Sequence, residues 1–154
     1  MSPPNYVVDA SVGTMLYLNE EHSLRARTIF SGLTAQPQTR LYVPDLFYIE
    51  MANVLLKAVR RGRSDREDAA AAIVDLCALS LMTVQTQSLV GAALGIALAK
   101  GISAYDACYI ALSDRLGVPF VTADQRLVNI LGGSSHEVLW LGNMPESNGN
   151  GRST

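Results

Sequence analysis

Residues 101–124 read GISAYDACYIALSDRLGVPFVTAD. Ser103, followed three residues later by Asp106, is an approximate capping box that starts a helix at Ala104. The helical spacing runs to Leu116, where Gly117 and then Pro119 stop it. Phe120–Thr122 is a short aromatic and β-branched run, and reads as a strand. A helix delivered into a strand across so short a turn is the unit of an α/β fold, and the same unit recurs on either side. Further strands are expected at Tyr6–Val8, Leu41–Val43, Leu81–Val84 and Val138–Leu141. Helices are expected at Ser11–Leu18, Ser23–Leu33, Leu46–Arg61, Arg66–Leu79, Leu89–Lys100 and Gln125–Leu131. Gly62, after Arg60 and Arg61, reads as a helix C-cap, and Ser64 to Glu67 as the next capping box. The pattern predicts one domain over residues 1–144, a three-layer α/β/α sandwich on a mainly parallel five-stranded sheet. The tail Pro145–Thr154, PESNGNGRST, lacks apolar anchors and is expected to be disordered.

Bulk properties narrow the function classes. A chain of 154 residues that is 49% hydrophobic builds a core without a metal or disulfide staple. Twelve Lys and Arg against fourteen Asp and Glu exclude both a nucleic-acid binder that works by bulk positive charge and an acidic disordered protein. Cys77 and Cys108 have no metal-ligand or redox spacing, and read as two small buried residues of a reducing compartment. The N-terminal MSPPNYVVDASVG has no basic leader region and carries Asp9 inside its apolar stretch, unlike a signal peptide. Leu76–Ala99 is free of charge, but Gln85–Ser88 interrupts it and leaves less than a membrane span requires. The expectation is a soluble cytoplasmic protein with no membrane partner.

Four carboxylates stand apart from the solvated acids. Asp9 ends the first strand, and Asp124 lies just beyond the end of the fourth. In a parallel α/β sheet that edge is where ligands bind. Glu50 lies four residues after Leu46, three after Phe47 and four before Val54, on an apolar face away from Lys57, Arg60 and Arg61. A carboxylate placed there needs a cation, a hydrogen-bond partner or a proton, and Asn53, one turn on, is a candidate neighbour. Asp106 opens its helix, with Tyr109, Ile110 and Ser113 on its face. Taken singly, Asp9 and Asp124 also read as helix N-caps, and Asp106 as part of its capping box. Taken together, the four repel one another, and oxygen-bound divalent cations are the usual remedy.

The donor types limit the chemistry. The two histidines, His22 and His136, are far from the acids in sequence, which argues against zinc. An all-carboxylate set suits Mg²⁺ or Mn²⁺, ions that neutralise a phosphodiester and acidify water. The chain has no phosphate-binding GxxxxGKS loop, no GxSxG and no Cys–His pairing. Phosphodiester hydrolysis is the remaining fit. A phospho-acceptor receiver domain would require a paired acid at the first strand and a Lys beyond the last site strand. Here Ala10 and Ser11 follow Asp9, and the lysines are Lys57 and Lys100. A non-catalytic RNA-binding or interaction module on the same fold is the alternative.

The stretches VVDASV, YIEMANVL and SAYDACYIALSDRLGVPFVTAD followed by QRL together resemble the PIN-domain nucleases, and among them the VapC-type toxins of toxin–antitoxin pairs. That resemblance implies a sheet order of 3-2-1-4-5, with Asp9 and Asp124 at adjacent strand ends. It implies a Mg²⁺- or Mn²⁺-dependent ribonuclease in which Asp9, Glu50, Asp106 and Asp124 form the acidic cluster. Asp9 and Asp106 would be the foremost metal ligands, with Glu50 and Asp124 completing the set or acting through its water. Ser11 and Thr122 would support the acids by hydrogen bonding. The family's cut leaves a 5′-phosphate and a 3′-hydroxyl, and its toxins pair as homodimers silenced by a small antitoxin. Many relatives carry Lys where this chain has Met15, so that contact to substrate is missing. The chain also lacks the extra acids and helical insertion of the flap-type DNA nucleases.

Phosphate contacts have two candidate sources. Arg60, Arg61, Arg63 and Arg66 form a basic knot that also reads as a solvated helix end. Arg126, two residues beyond Asp124, is nearer the acidic edge and is the better single candidate for RNA contact. Tyr17, Tyr48, Tyr105 and Tyr109 offer rings for base stacking, or for core and dimer packing.

Overall fold

The protein is described by a computed structural model covering residues 4–147. Its strands are β1 (Asn5–Val8), β2 (Arg40–Pro44), β3 (Met82–Val84), β4 (Phe120–Thr122) and β5 (Val138–Trp140). Its helices are α1 (Ala10–Thr14), α2 (Ser23–Ala35), α3 (Leu46–Arg60), α4 (Arg66–Ala78), α5 (Val90–Lys100), α6 (Ala104–Leu116) and α7 (Gln125–Leu131). Short 3₁₀ turns occupy Thr86–Ser88 and Leu141–Asn143.

All four strand pairs are parallel, in the order β3-β2-β1-β4-β5. Parallel neighbours require crossovers, and these are right-handed almost without exception. The chain steps one way from β1 to β2 to β3, then reverses to β4 and β5. Helices α2, α3 and α4 therefore lie on one face, and α5, α6 and α7 on the other. The reversal leaves a crevice between β1 and β4 at their C-terminal ends, where such sheets bind ligands. Pairing of Val8 with Val121 fixes what stands there: Asp9 follows one strand, and Thr122 to Asp124 end the other.

The strands are short and apolar because the sheet is covered on both faces. Val7, Val8, Leu41, Val43, Phe120 and Val121 have no exposure. Helix α6 packs on β1, β2 and β4 and is itself covered by α5, so Ala107–Ser113 form an unbroken buried run. Gly117, at φ +65°, ends α6 in the left-handed region that only glycine adopts cheaply. On α3 the buried stripe is Phe47, Met51, Leu55 and Ala58, with Glu50 on its flank. Phe47 and Met51 press against Gly13 of α1, where a Cβ would stand 3.0 Å from both side chains. That contact holds the turn after Asp9 against α3.

Several sequence expectations need correction. Helix α1 stops at Thr14 rather than Leu18, because Leu16 and Tyr17 bond the carbonyls three residues back and tighten the chain into turns. The cap of α4 is Asp65, not Ser64; its carboxylate accepts from the Asp68 amide at 2.8 Å, while the Ser64 hydroxyl turns to the Asp65 carbonyl. Cys108 is buried as expected, but Cys77 is exposed, since α4 buries only Ala72 and Leu76. The expected disordered tail is anchored at its start: Glu146 pairs with Arg25 at 2.5 Å and the Ser147 amide donates to Thr28 at 3.2 Å. Its remainder, 148–154, lies outside the described residues. Among the described residues no helix is long and apolar enough to cross a membrane.

Candidate active site

The crevice between β1 and β4 is built around Asp9, which is 5% exposed. Asp9 occupies the N-cap position of α1, yet its side chain caps nothing. Two hydroxyls take it instead: Ser11 donates to Oδ2 at 2.8 Å and Thr122 donates to the same oxygen at 2.7 Å. Proton counting fixes these directions. The Ser11 oxygen accepts the Ala123 amide at 3.0 Å and the Thr122 oxygen accepts the Asp124 amide at 3.1 Å. The Asp9 carboxylate only accepts, so each hydroxyl gives it its single proton while a lone pair takes the amide. The Asp9 amide donates to the Val121 carbonyl at 3.0 Å, so the strand ladder itself sets the approach.

The other acids reach the edge from helices. Asp124 is the N-cap of α7, with Oδ1 accepting from the Leu127 amide at 3.2 Å and Oδ2 lying 3.7 Å from Arg126. Asp106 sits in the first turn of α6, which Ser103 caps by accepting the Asp106 amide at 3.1 Å. Glu50 is half-buried on α3, and its Oε1 accepts from the Tyr109 hydroxyl at 2.8 Å. Tyr109 has no exposure and stacks on Phe120 with ring centres 5.7 Å apart. This bond ties α3, on one face of the sheet, to α6 on the other.

The carboxylates act on one another. Burial pushes Asp9 up to about 6, against the Thr122 and Ser11 bonds and helped by the charge of Asp106. Burial pushes Glu50 up to about 7, opposed by the Tyr109 bond and reinforced by Asp9 and Asp106. Asp106 is raised, first by burial and then by Asp124, with the Ser103 bond and Arg126 pulling the other way. Burial and the charges of Asp9 and Glu50 drive the Tyr109 phenol far up, so it remains a neutral donor. Among the described residues, no three His, Cys, Asp or Glu side chains stand close enough to hold an ion as they are. The donors are all hard oxygens carrying uncompensated negative charge, which fits a divalent cation of the Mg²⁺ or Mn²⁺ kind. Histidine takes no part: His136 pairs with Asp114 at 2.9 Å, and His22 stands edge-on to Trp140.

A cleft of about 640 Å³ opens beside the acids, lined by Glu50, Asn53, Tyr105 and Asp106 with Ile49 and Leu56 as apolar walls. The structure thus gathers Asp9, Glu50 and Asp106 into one field, with Asp124 acting on Asp106. Asp124 and Asp106 also sit at helix caps, so their capping and site roles coexist. Glu50 finds its partner in Tyr109, not Asn53, because the helical neighbour points into the cleft while the phenol reaches across from α6. The sequence places Tyr109 on the face of Asp106 and offers its ring for stacking or packing; the bond of its hydroxyl to Glu50 is what the structure adds. The basic knot separates: Arg63 pairs with Glu20 at 3.2 Å, and Arg60 and Arg66 line a different groove between α3 and α4.

The raised carboxyls carry a stability consequence. Asp9 and Glu50 lose their protons more readily in the unfolded chain, so their contribution is fully present below about pH 4 and is lost as pH rises through 6 and 7. For Asp9 alone the penalty at pH 8 is roughly 3 kcal/mol, the shift from 3.8 to about 6 converted to free energy. Without divalent cations, Asp9→Asn is expected to melt several degrees above wild type at pH 8, with the gap narrowing toward pH 5. Thermal melts across that range check it; a variant less stable than wild type at pH 8 contradicts it.

Residues 6–131 match the family model described as PIN domain. A curated relative, Ribonuclease VapC3 of Pyrobaculum aerophilum, is 34% identical over 123 residues, spanning 79% of this chain and 90% of that protein. Among solved structures, PAE2754 from Pyrobaculum aerophilum superposes with a TM-score of 0.66 at 24% identity, covering 91% of this chain and 85% of that one. VapBC-1 from nontypeable Haemophilus influenzae gives 0.57 at 16% identity, covering 90% and 98%. A toxin–antitoxin complex from Klebsiella pneumoniae gives 0.52 at 12% identity, covering 88% and 95%. With its five-stranded parallel sheet in the order 3-2-1-4-5 and this match along most of its length, the chain belongs to the PIN domain family.

Proposed function

We propose that this protein is an endoribonuclease of the VapC type, hydrolysing RNA phosphodiester bonds with Mg²⁺ or Mn²⁺ held by Asp9, Glu50, Asp106 and Asp124. One observation carries the reading: a buried aspartate, held by two hydroxyls, lies in the repulsive field of neighbouring carboxylates at the ligand-binding edge of the sheet. The 34% identity to Ribonuclease VapC3 supports the choice of RNA as substrate. When bound, the cation would offset the charge of the phosphodiester and of the cluster, and lower the pKa of water at the site.

The chain's own residues supply the positioning. Three acids each have one oxygen anchored to protein: Oδ2 of Asp9, Oε1 of Glu50 and Oδ1 of Asp124. The second oxygens of Asp9 and Glu50 are left for a cation, while Asp124 Oδ2 faces Arg126 at 3.7 Å. Ser11 and Thr122 lock the rotation of Asp9, the outer-shell role that usually accounts for 10- to 100-fold in metal affinity or activity. Arg126, exposed and paired with Asp124, is the basic group offered to the incoming phosphate.

Partners follow from the same reading. A small antitoxin is supported by the solved neighbour from Klebsiella pneumoniae, named as a toxin–antitoxin complex. A homodimer is supported by α5, whose Val90, Leu94 and Leu98 are 53%, 58% and 77% exposed along one helical face with Gly91 and Gly95 beside them. Two free thiols, Cys77 and Cys108, support a reducing, cytoplasmic site of action.

The test of activity is cleavage of a mixed RNA pool with added Mn²⁺. Wild type is expected to cut, Asp9→Asn to fall to background, and Thr122→Val to lose about 10- to 100-fold. Equal rates in wild type and Asp9→Asn overturn the reading and favour the non-catalytic module. For the homodimer, Leu98→Asp is expected to sediment as a monomer while wild type sediments as a dimer; a monomeric wild type removes that part of the account.

A further inference from the structure

We propose that the cleft beside the acids is a subsite for one unstacked nucleobase, with Tyr105 as its stacking platform and Asn53 as the group that reads the base edge. The inference rests on the ribonuclease reading above and assigns that reaction a specificity determinant.

The acidic cluster accounts for only one end of the cleft. Glu50 and Asp106 line that end, and the rest of its 640 Å³ is walled by Ile49, Leu56 and Tyr105. These three are 71%, 45% and 66% exposed, an apolar and aromatic surface left open in one place. Among the described residues no Lys or Arg lines the cleft, so none of them holds a backbone phosphate there by charge. A π-face against an apolar wall suits the flat side of a base, and stacking of this kind needs the base out of its duplex. Asn53 is the side-chain amide here, offering both a donor and an acceptor to a base edge.

Position ties the cleft to the reaction. Tyr105 immediately precedes Asp106, and Asn53 is one helical turn on from Glu50 along the same side of α3. A nucleotide with its phosphate at the acids therefore has its base, or that of its immediate neighbour, within reach of both. The four-carboxylate edge selects a phosphodiester without regard to sequence. The cleft selects a single-stranded site and one base within it.

The experiment is cleavage of a randomised single-stranded RNA pool by the full chain with Mn²⁺, with cut ends sequenced, alongside kinetics on the best-cut oligonucleotide and its annealed duplex. Wild type is expected to show its strongest base preference at one position flanking the cut, and to leave the duplex intact. Asn53→Ala is expected to flatten that preference. Tyr105→Ala is expected to raise KM about ten- to a hundredfold, far more than it lowers kcat, with Tyr105→Phe restoring it. A 2-aminopurine at the preferred position, bound to Asp9→Asn protein, reports stacking directly, and its fluorescence change is expected to vanish in the Tyr105→Ala double variant. Unchanged preference and KM in these variants, or equal cutting of duplex, overturn the subsite while leaving the ribonuclease reading intact. Variants that handle RNA normally but lose binding of a protein inhibitor also overturn it, in favour of a peptide-binding cleft. A wild type no more active than Asp9→Asn removes both readings together.

Discussion

Everything at the functional edge depends on a negative charge buried at the end of the central strand. Asp9 follows Val7 and Val8, neither of which has any exposure, and it stays there because two hydroxyls converge on one of its oxygens. Backbone amides from the end of β4 donate to the same two hydroxyl oxygens and hold them in place while their protons go to Asp9. The parallel pairing of β1 with β4 is thus what makes the site, since a slip of one residue would turn Thr122 to the other face. Sheet topology and site chemistry are one constraint.

That constraint costs stability. Burial and mutual repulsion push Asp9 to about 6 and Glu50 to about 7, so near neutral pH the folded chain carries charge it would shed if it could. The fold offsets this with polar bonds from buried or capped groups: Thr122 and Ser11 to Asp9, and Tyr109 to Glu50. A well-packed frame absorbs the remainder, with α6 buried along seven consecutive residues and Phe47 and Met51 seated against Gly13. Residues that weaken the fold locally while aiming carboxylates into one crevice are the pattern of a site kept for binding. A divalent cation relieves the same repulsion the fold tolerates.

Much of this was legible in the sequence, and the misses share a cause. Gly117, Pro119 and the Ser103 capping box are local signals, and the helix and strand they bracket lie where they predict. The strand order came through resemblance, because nothing local in a parallel sheet names its neighbour. Asn53 looked like the partner of Glu50 on helical spacing alone, whereas the bond comes from Tyr109, 59 residues away on another helix. The apolar spacing of α1 continues past Thr14 and predicts a longer helix, while the backbone tightens into successive turns there. Ser64 and Asp65 are adjacent capping residues, and only the backbone angles decide between them. Anchoring of Glu146 and Ser147 on α2 was likewise invisible, since the partners Arg25 and Thr28 lie 121 and 119 positions away in a polar tail's reading.

The central claim is that these carboxylates are assembled to hold a divalent cation. The most direct measurement is calorimetric titration of Mn²⁺ into the metal-free protein near pH 7, repeated in buffers of different ionisation enthalpy. Saturable binding with release of protons is expected, because the raised carboxyls must ionise to become ligands. The same titration of Asp9→Asn is expected to show much weaker binding or none. An isotherm unchanged by Asp9→Asn, or no binding at millimolar cation, contradicts the account.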